Sequence, residues 1–393
     1  MQYDSVLVRY SGEIGIKSKR TARGLLRALV ASIKARLRRF GVGFSGVRVR
    51  WGRVVIRSSE ARRAAEVASK VFGVVSTSPA VSMEADLRTI TERALEYAKG
   101  LIKPSTSFAV RSRRAGRHPF TSKDVAERVG SAILQAFGGA GVSVDLDSPD
   151  AEIFVEVRDD SAYVFHEFFK GLGGLPLGTQ GRVVCLISGG LDSSVACYLA
   201  MRRGCVPVFV YLDNDPYAAE DTLTRAMDVA KRLCGYAVGH RVRIYVVPHG
   251  HVLTRLIEAC DRRLTCVLCH RAMLRVAEEI ARLEGADAVV TGECIGEQAS
   301  QTLRNIRVES TALREFPVIR PLAGMDKTEI VRMAKRIGTY EISTRPATCC
   351  SVPPKRPAIR ADLSEVLEAE ENVDVASLVK WDVENARVIR IGA

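Results

Sequence analysis

Short apolar runs recur in the second half of the chain, with amphipathic helical patterns between them. The runs predict strands over 183–187, 206–212, 242–248, 286–291 and 317–321. Strict alternation of strand and helix is typical of a doubly wound α/β domain with a parallel sheet. Asp326 and Glu329 have the spacing of a capping box and predict a helix over 327–337. The tail, 362–393, shows an acidic helical pattern in which we expect little chemistry.

The first half of the chain mixes strands and helices less regularly, which indicates a separate α+β region. A glycine-rich segment, GLGGLPLGTQG at 171–181, lies between the two halves and marks a domain boundary. A short apolar run at 71–75 separates two helical patterns. We expect strands over 5–10 and 107–113, one or two strands over 47–57, helices over 21–40, 60–72, 88–101 and 122–137, and a hairpin of 153–157 with 162–169.

The segment SGGLDS, Ser188 to Ser193, follows the first apolar run of the second half and precedes a helix expected to open at Ser193 or Ser194. Its two glycines allow a tight turn that brings backbone N–H groups close to an anion. The helix N-terminus adds unpaired donors, and Asp192 can position a Mg²⁺ ion carried by phosphates. The pattern predicts a pyrophosphate-binding loop; the alternative is a glycine-rich turn without a ligand. The motif GxxxxGK[ST] is missing from the sequence, which favours adenylation of a substrate oxygen over γ-phosphoryl transfer.

The net charge of +13 is unevenly distributed along the 393 residues. Residues 1–120 contain 25 Lys/Arg and 8 Asp/Glu, a balance of +17, whereas residues 171–393 contain 29 and 27, a balance of +2. A basic N-terminal third predicts a polyanionic partner, the alternative being a solvated arginine-rich surface. No apolar run reaches membrane-spanning length and the N-terminus lacks a signal-peptide pattern, so we expect a cytoplasmic protein.

Ten cysteines in a chain of this kind do not indicate a disulfide framework. Cys266 and Cys269 form a CxxC pair, whose interpretations include a thioredoxin-like redox pair, a zinc site, unligated core residues and a cluster site. His249 and His251 form a pair that we interpret as a loop feature, because no carboxylate is near at ligand spacing. Small core residues are expected at Cys185, Cys197, Cys205 and Cys234.

Several segments together resemble the tRNA 4-thiouridine synthetases, the ThiI family, over nearly the whole chain. They are RYSGEIGIKSKRTAR, FAVRSRRAGRHPFTSKD, the glycine-rich linker, SGGLDS, TGECIGEQASQT and MDKTEI. The resemblance implies a multidomain α/β and α+β protein that ends in a doubly wound, parallel PP-loop pyrophosphatase domain of the adenine nucleotide α-hydrolase type. The implied domains are a ferredoxin-like domain over 1–58, a THUMP RNA-binding domain over 59–169, a linker over 170–181 and the PP-loop domain with a helical tail over 182–393.

The resemblance also implies an ATP site. Many relatives have a basic residue where this chain has His270, so the charge role would pass to Arg271. Contacts with tRNA are implied for Arg111, Arg113, Arg114 and Arg117, and Asp192 would be catalytic as well as nucleotide-binding. The implied ATP-binding residues are Leu186, Ile187, Ser188, Gly189, Gly190, Asp192, Ser193, Tyr211, Leu212, His270, Arg271, Gly292 and Gln301.

The sulfur route is implied to differ from that of many bacterial relatives. Cys349 falls at their catalytic cysteine, but about 40 residues follow Cys350, too few for the rhodanese domain that those relatives use. Archaeal-type relatives bind an iron–sulfur cluster with a CxxC pair and one distant cysteine. The resemblance therefore implies a cluster, expected to be [4Fe–4S], on Cys266, Cys269 and Cys349, with Cys350 as a dispensable neighbour and with sulfide or a donor protein as the sulfur source. An open iron of such a cluster can bind sulfide.

The implied reaction is adenylation of O4 of uridine at tRNA position 8, followed by replacement of that oxygen by sulfur to give 4-thiouridine. ATP, Mg²⁺ and an iron–sulfur cluster would be required. A tRNA 2-thiolation enzyme, or another ATP-dependent base-modifying enzyme on the same domain, is an alternative. A non-catalytic THUMP-type RNA-binding protein is an alternative of another class, and a homodimer is left open.

Overall fold

The computed structural model describes residues 2–50, 52–298, 300–347 and 350–391. The chain forms two compact units, 1–176 and 177–393. Within the described ranges, none of the helices combines the length and the apolar character needed to cross a membrane.

The first unit is built on one continuous sheet with the strand order β2-β3-β1-β4-β8-β7-β5-β6, and β9 pairs with β4. Its strands are β1 (Ser5–Tyr10), β2 (Gly46–Arg50), β3 (Arg53–Arg57), β4 (Val74–Glu84), β5 (Ser107–Ala115), β6 (Ser143–Val144), β7 (Ala151–Arg158), β8 (Ser161–Phe165) and β9 (Phe169–Lys170). Its helices are α1 (Gly12–Gly15), α2 (Lys19–Arg39), α3 (Ala61–Ser69), α4 (Leu87–Lys99) and α5 (Ser122–Phe137), the last followed by a 3₁₀ turn, Gly138–Ala140.

Strand β4 joins two separate cores in this unit. Its first half pairs with β1, in the register Leu7 with Ser78, and its second half pairs with β8, in the register Val81 with Val164. Helices α2 and α3 bury Leu29, Ile33 and Ala64 in the first core, whereas α4 and α5 bury their apolar faces in the second. One long strand therefore belongs to both halves of the RNA-binding region that the sequence implies.

The second unit contains a six-stranded sheet with the order β14-β13-β10-β11-β12-β15. Its strands are β10 (Arg182–Leu186), β11 (Val206–Asp213), β12 (Val242–Pro248), β13 (Ala288–Val290), β14 (Val318–Ile319) and β15 (Arg387–Ile391). Its α-helices are α6 (Leu191–Arg202), α7 (Glu220–Cys234), α8 (Gly250–Ala259), α9 (Thr265–Glu284), α10 (Leu303–Ser310), α11 (Lys327–Ile337), α12 (Tyr340–Ser343), α13 (Leu363–Glu371) and α14 (Val375–Glu384), and a 3₁₀ turn, Arg262–Leu264, precedes α9.

The pairings of β10 to β14 are all parallel, as the alternation of strand and helix predicts. The carboxyl ends of these strands therefore meet at one edge of the sheet, where ligands bind in such folds. The capping box of α11 is also confirmed: Asp326 Oδ1 accepts from the Glu329 amide, and Glu329 Oε2 accepts from the Asp326 amide.

The tail is more closely integrated into the second unit than its sequence pattern predicts. Val366 and Val379, on α13 and α14, are buried in the core that also contains Val276 of α9. Beyond these helices the chain forms β15, which pairs antiparallel with β12 and covers that edge of the sheet. The expectation of an acidic helical tail was thus wrong for its last segment, because a free sheet edge next to it provides hydrogen-bond partners.

Candidate active site

The segment Ser188–Gly190 forms a tight loop between β10 and α6. Gly189 has φ = +74°, a conformation suited to glycine, and a Cβ there would lie 2.8 Å from the Ala226 backbone nitrogen. The Ser188 amide donates to Ser193 Oγ over 3.2 Å, and Ser193 Oγ donates to the Gly190 carbonyl over 3.3 Å. The loop is therefore held in shape by its own serines before any ligand binds.

Helix α6 begins at Leu191 with Gly190 as its N-cap, two or three residues earlier than the sequence predicts. Asp192 consequently lies in the first turn, where the helix dipole favours a carboxylate. The first amides of the helix and the loop together form a set of donors at the carboxyl end of β10. Such a set can cradle a phosphate chain.

One pocket opens beside this loop, and most of the sequence-predicted ATP residues line it. The predicted residues in its wall are Leu186, Ile187, Ser188, Gly190, Asp192, Ser193, Tyr211, Leu212, His270, Gly292 and Gln301. Gly189 and Arg271 are not part of the wall. Residues of the wall that were not among the predicted ATP-binding residues are Asn214, Ala218, Thr222, Arg225, Met273, Leu274, Thr291, Glu293, Gln298 and Cys350.

Gly292 brings the end of β13 against the first turn of α6. A Cβ at this position would lie 2.6 Å from the Ser193 backbone nitrogen and 2.9 Å from the Asp192 carbonyl carbon, closer than real side chains approach. Gln301 lies farther along the same segment, and its buried Oε1 has no hydrogen-bond partner within the described ranges. This oxygen is an acceptor that a nucleobase or nucleotide in the pocket could satisfy.

Lys327, at the start of α11, is a cation at the loop to which the sequence argument assigned no role. Its Nζ donates to both carboxylate oxygens of Asp192, over 2.8 and 3.1 Å, and to Glu297 over 2.5 Å. Although partial burial favours the neutral amine, these hydrogen bonds raise the pKa of Lys327. The segment MDKTEI was the available signal, since it contains this lysine. Asp192 is therefore positioned by a lysine from a distant helix.

His270 provides a positive charge in the pocket wall. Burial favours its neutral ring, but the Glu309 carboxylate, 3.1 Å from Nδ1, outweighs this and raises the pKa of His270 to about 9. Burial raises the pKa of Glu309, whereas Arg320, 2.5 Å from Glu293, offsets burial and lowers the pKa of Glu293. His270, Glu293 and Glu309 have donor atoms within 4.8 Å of one another, as a metal site requires. Glu309 already faces His270, and Glu293 already faces Arg320, so this group of side chains has no evident need for a metal ion.

Arg271 points into the core rather than into the pocket. It is 1% exposed, forms two hydrogen bonds of 2.8 and 3.0 Å with Glu370 of α13, and donates to the Val308 carbonyl. Arg275 binds the same carboxylate. We expected Arg271 to replace His270 as the cation of the ATP site, and the structure does not support this expectation. His270 faces the pocket, whereas Arg271 connects α9 to the tail.

The cysteines of the CxxC pair lie one turn apart on α9, near the same pocket. Cys350 lines the pocket, packs against the core that contains Cys269, and, together with burial, raises the pKa values of Cys266 and Cys269. Cys349 lies outside the described residues. Of the predicted core cysteines, Cys185, Cys197 and Cys234 are buried and Cys205 is half-buried.

The arrangement of the described cysteines bears on whether they could hold a zinc ion or an iron–sulfur cluster. Tetrahedral zinc, with Zn–S distances of about 2.3 Å, requires sulfur atoms roughly 3.8 Å apart. Among the residues that the structure describes, no three cysteines have their sulfur atoms within 4.8 Å of one another. Besides burial, Cys350 acts electrostatically on both Cys266 and Cys269, so these three cysteines lie near one another, and thiolate is the ligand that iron–sulfur clusters use.

The interpretation of His249 and His251 as a loop pair was wrong. His249 is fully buried at the N-cap of α8, and its Nδ1 lies 2.6 Å from Asp382 Oδ2 of α14. His251 Nε2 lies 3.5 Å from Asp382 Oδ1. The carboxylate that the local sequence lacks comes from the tail, 133 positions away from His249.

The predicted tRNA contacts lie on and just after β5 of the first unit. Arg113, Arg114 and Arg117 are exposed, whereas Arg111 is half-buried and binds Glu152 over 2.9 Å. Three further arginines, which the sequence argument did not single out, surround one buried carboxylate, Glu156. They are Arg9 at 3.4 Å, Arg53 at 2.6 Å and Arg158 at 2.5 Å. The single carboxylate of Glu156 therefore holds three arginines in place, and this group of four side chains has a net positive charge.

Comparisons with known proteins identify the family and the domain types of the chain. The family model described as Thiamine biosynthesis protein (ThiI) matches residues 178–375, the THUMP domain model matches 84–167, and the ThiI ferredoxin-like domain model matches 5–78. A probable tRNA sulfurtransferase of Methanosarcina acetivorans is 42% identical over 99% of this chain and 94% of its own length. Another, of Methanothermobacter thermautotrophicus, is 40% identical over 95% of each chain.

A solved structure described as a 4-thiouridine synthetase–RNA complex with bound ATP has a TM-score of 0.88 and 32% identity, and the match covers 100% of both chains. These matches confirm the fold class expected from the sequence, with ferredoxin-like, THUMP and PP-loop parts. The relatives that match nearly the whole chain are described as probable tRNA sulfurtransferases, so the chain is an enzyme rather than a non-catalytic RNA-binding protein. The chain therefore belongs to the ThiI family of tRNA sulfurtransferases.

Proposed function

We propose that this enzyme uses ATP to adenylate O4 of uridine 8 in tRNA and then exchanges that oxygen for sulfur. The observation that carries the proposal is a single pocket whose wall contains both the SGGLDS loop and a cysteine, Cys350. A phosphate cradle and a thiol are the two groups that activation and sulfur transfer need. ATP bound to the 4-thiouridine synthetase with a TM-score of 0.88 supports the nucleotide part of the proposal.

In the first step, uridine O4 attacks the α-phosphorus of ATP and pyrophosphate leaves. The loop amides, Ser188 and Ser193 hold the β- and γ-phosphates, and Asp192, whose carboxylate is oriented by Lys327, would bind the Mg²⁺ ion that accompanies them. Donors fixed before the reaction stabilise the charge that develops on pyrophosphate at little reorganisation cost. His270, protonated at neutral pH because of Glu309, adds a further positive charge to the pocket wall.

In the second step, a sulfur nucleophile attacks C4 of the uracil ring and AMP leaves with the former O4. AMP is a much better leaving group than the carbonyl oxygen, which is why adenylation must come first. The target base must be turned out of the tRNA structure to reach the pocket. The sulfur source is sulfide or a sulfur-donor protein.

Cys266, Cys269 and a third thiol are proposed to hold an iron–sulfur cluster. When bound by three cysteines, such a cluster offers one iron with an open position for sulfide. Cys349 is the third ligand implied by the family position. Cys350 becomes its competitor, since its side chain lines the pocket wall and raises the pKa values of the CxxC thiols.

The tRNA is proposed to bind the first unit through its arginines. Residues 1–120 have a charge balance of +17, and Arg113, Arg114 and Arg117 are exposed there. Such contacts position the polyanion without reading its sequence. The choice of uridine 8 then follows from the shape of the tRNA.

The test combines tRNA-dependent AMP formation with mass spectrometry of the tRNA nucleosides, under anaerobic conditions with ATP and sulfide. The expected product is 4-thiouridine; 2-thiouridine would support the alternative of a 2-thiolation enzyme. Asp192→Ala should abolish AMP formation and leave tRNA affinity nearly intact, and normal thiolation by this variant would contradict the loop assignment.

The third ligand is identified by a second set of variants. Cys266→Ala and Cys269→Ala should lose both iron and thiolation. Cys349→Ala and Cys350→Ala are each other's matched control, and only one of the two should lose iron. Full activity of iron-free protein would exclude the cluster and leave persulfide chemistry on a cysteine as the better explanation.

A further inference from the structure

A buried histidine–aspartate pair in the second unit has no role in the reaction described so far. His249 and Asp382 are each 0% exposed, and His249 Nδ1 lies 2.6 Å from Asp382 Oδ2. Burying two ionisable groups carries a desolvation penalty that their mutual attraction often fails to repay. Val366 and Val379 already bury the tail in the apolar core, so the tail does not need such a pair for its attachment.

The second ring nitrogen of His249 faces a cysteine of the CxxC pair. His249 Nε2 lies 3.9 Å from Cys269 Sγ, within the range of a hydrogen bond to sulfur. The histidine is also fixed from its backbone side, because its amide donates to the Asp213 carbonyl over 2.7 Å. Asp382, His249 and Cys269 thus form a continuous polar chain from the tail helix α14 to helix α9.

We propose that His249, held by Asp382, is a positioning residue that donates its Nε2–H to the Cys269 thiolate when that cysteine binds the iron–sulfur cluster. The inference rests on the proposed cluster. A ligating thiolate has no proton, so the histidine must be the donor in this bond. Because Nδ1–H is donated to the Asp382 carboxylate, the second proton, on Nε2, is the one that the Cys269 thiol gives up when it binds iron. Groups outside the ligand set that hydrogen-bond to the ligands orient them and tune the metal.

The functional consequence concerns the electronic properties of the cluster. Hydrogen bonds to sulfur ligands stabilise the more negatively charged, reduced state and thereby raise the reduction potential. Cys269 is the more buried member of the CxxC pair, so water cannot supply this bond. The tail, in which the sequence indicates little chemistry, then supplies the residue that sets the environment of one ligand.

The experiment uses the full-length protein, reconstituted anaerobically with iron and sulfide, and measures the iron content and the cluster's reduction potential by redox titration. His249→Phe keeps an aromatic ring but removes the hydrogen-bond partner of the buried Asp382 Oδ2, which can impair folding. The double variant His249→Phe/Asp382→Leu removes both polar partners and avoids this problem. His251→Phe is the matched control, since His251 also faces Asp382 but does not reach Cys269.

The double variant should fold, bind ATP like the wild type, and show a more negative reduction potential than His251→Phe. An unchanged potential in the double variant, whatever its iron content, would overturn the inference while leaving the proposed cluster intact. Wild-type protein that binds no iron after reconstitution would overturn both. A purely structural role for the pair would change the melting temperature but not the potential of the remaining cluster.

Discussion

Replacing Gly292 with alanine should push the end of β13 away from the pyrophosphate loop. The added Cβ would lie 2.6 Å from the Ser193 backbone nitrogen and 2.8 Å from its Cα, and neither backbone atom can rotate away. Overpacking of a tight site typically costs about 1–3 kcal/mol. If this cost falls on the ATP-bound arrangement of the loop, the dissociation constant for ATP should rise about 5- to 150-fold, at 1.4 kcal/mol per factor of ten.

The assay is isothermal calorimetry of ATP binding to the full-length variant, combined with thermal unfolding. Gly324→Ala is the matched control, because Gly324 lies in the same unit and a Cβ there would meet nothing within 4 Å. The control should bind ATP with wild-type affinity. Wild-type affinity in the Gly292 variant, with an unchanged melting temperature, would refute the argument that this close approach shapes the loop.

Three further predictions concern charge. Lys327→Met should lower AMP formation by about 10²- to 10³-fold, as expected when a fixed electrostatic group at a reacting phosphate is lost. Lys335→Met, on the same helix, should have little effect. Comparable rates for the two variants would contradict this role of Lys327. A folded 1–176 fragment should bind tRNA with a log affinity that falls linearly with log salt, and absence of binding would move the tRNA site elsewhere. Glu309 raises the pKa of His270 from 6.5 to about 9. The contribution of this ion pair to the unfolding free energy is therefore complete below pH 6.5 and is lost as the pH rises through about 9. The unfolding free energy of the wild type should therefore fall over this range more steeply than that of His270→Gln, and parallel pH profiles in chemical denaturation would argue against the ion pair.

Most elements could be predicted from the sequence, but strand β4 illustrates where this fails. Only the apolar run at 71–75 is visible locally, whereas the strand extends over Val74–Glu84 and contains Ser, Thr and Pro. Thr77 and Ser78 are fully buried in it. Thr77 Oγ1 donates to the Ala65 carbonyl over 2.7 Å, and Ser78 Oγ accepts from Arg9 over 3.0 Å. Partners from other elements make these polar residues acceptable in a buried strand, and no local pattern reveals such partners.

By itself, the sequence determined the parallel α/β unit, its SGGLDS loop and most of the pocket wall. These features depend on contiguous residues: a tight glycine turn, a helix N-terminus and apolar runs with a fixed period are encoded within a few positions. Only the tertiary structure decided which charges meet. Lys327 reaches Asp192 across 135 positions and Asp382 reaches His249 across 133, while Arg271 turns into the core and His270 faces the pocket. Such pairs form because packing brings distant helices together, and burial then makes each unpaired charge costly, so their partners cannot be identified from local spacing.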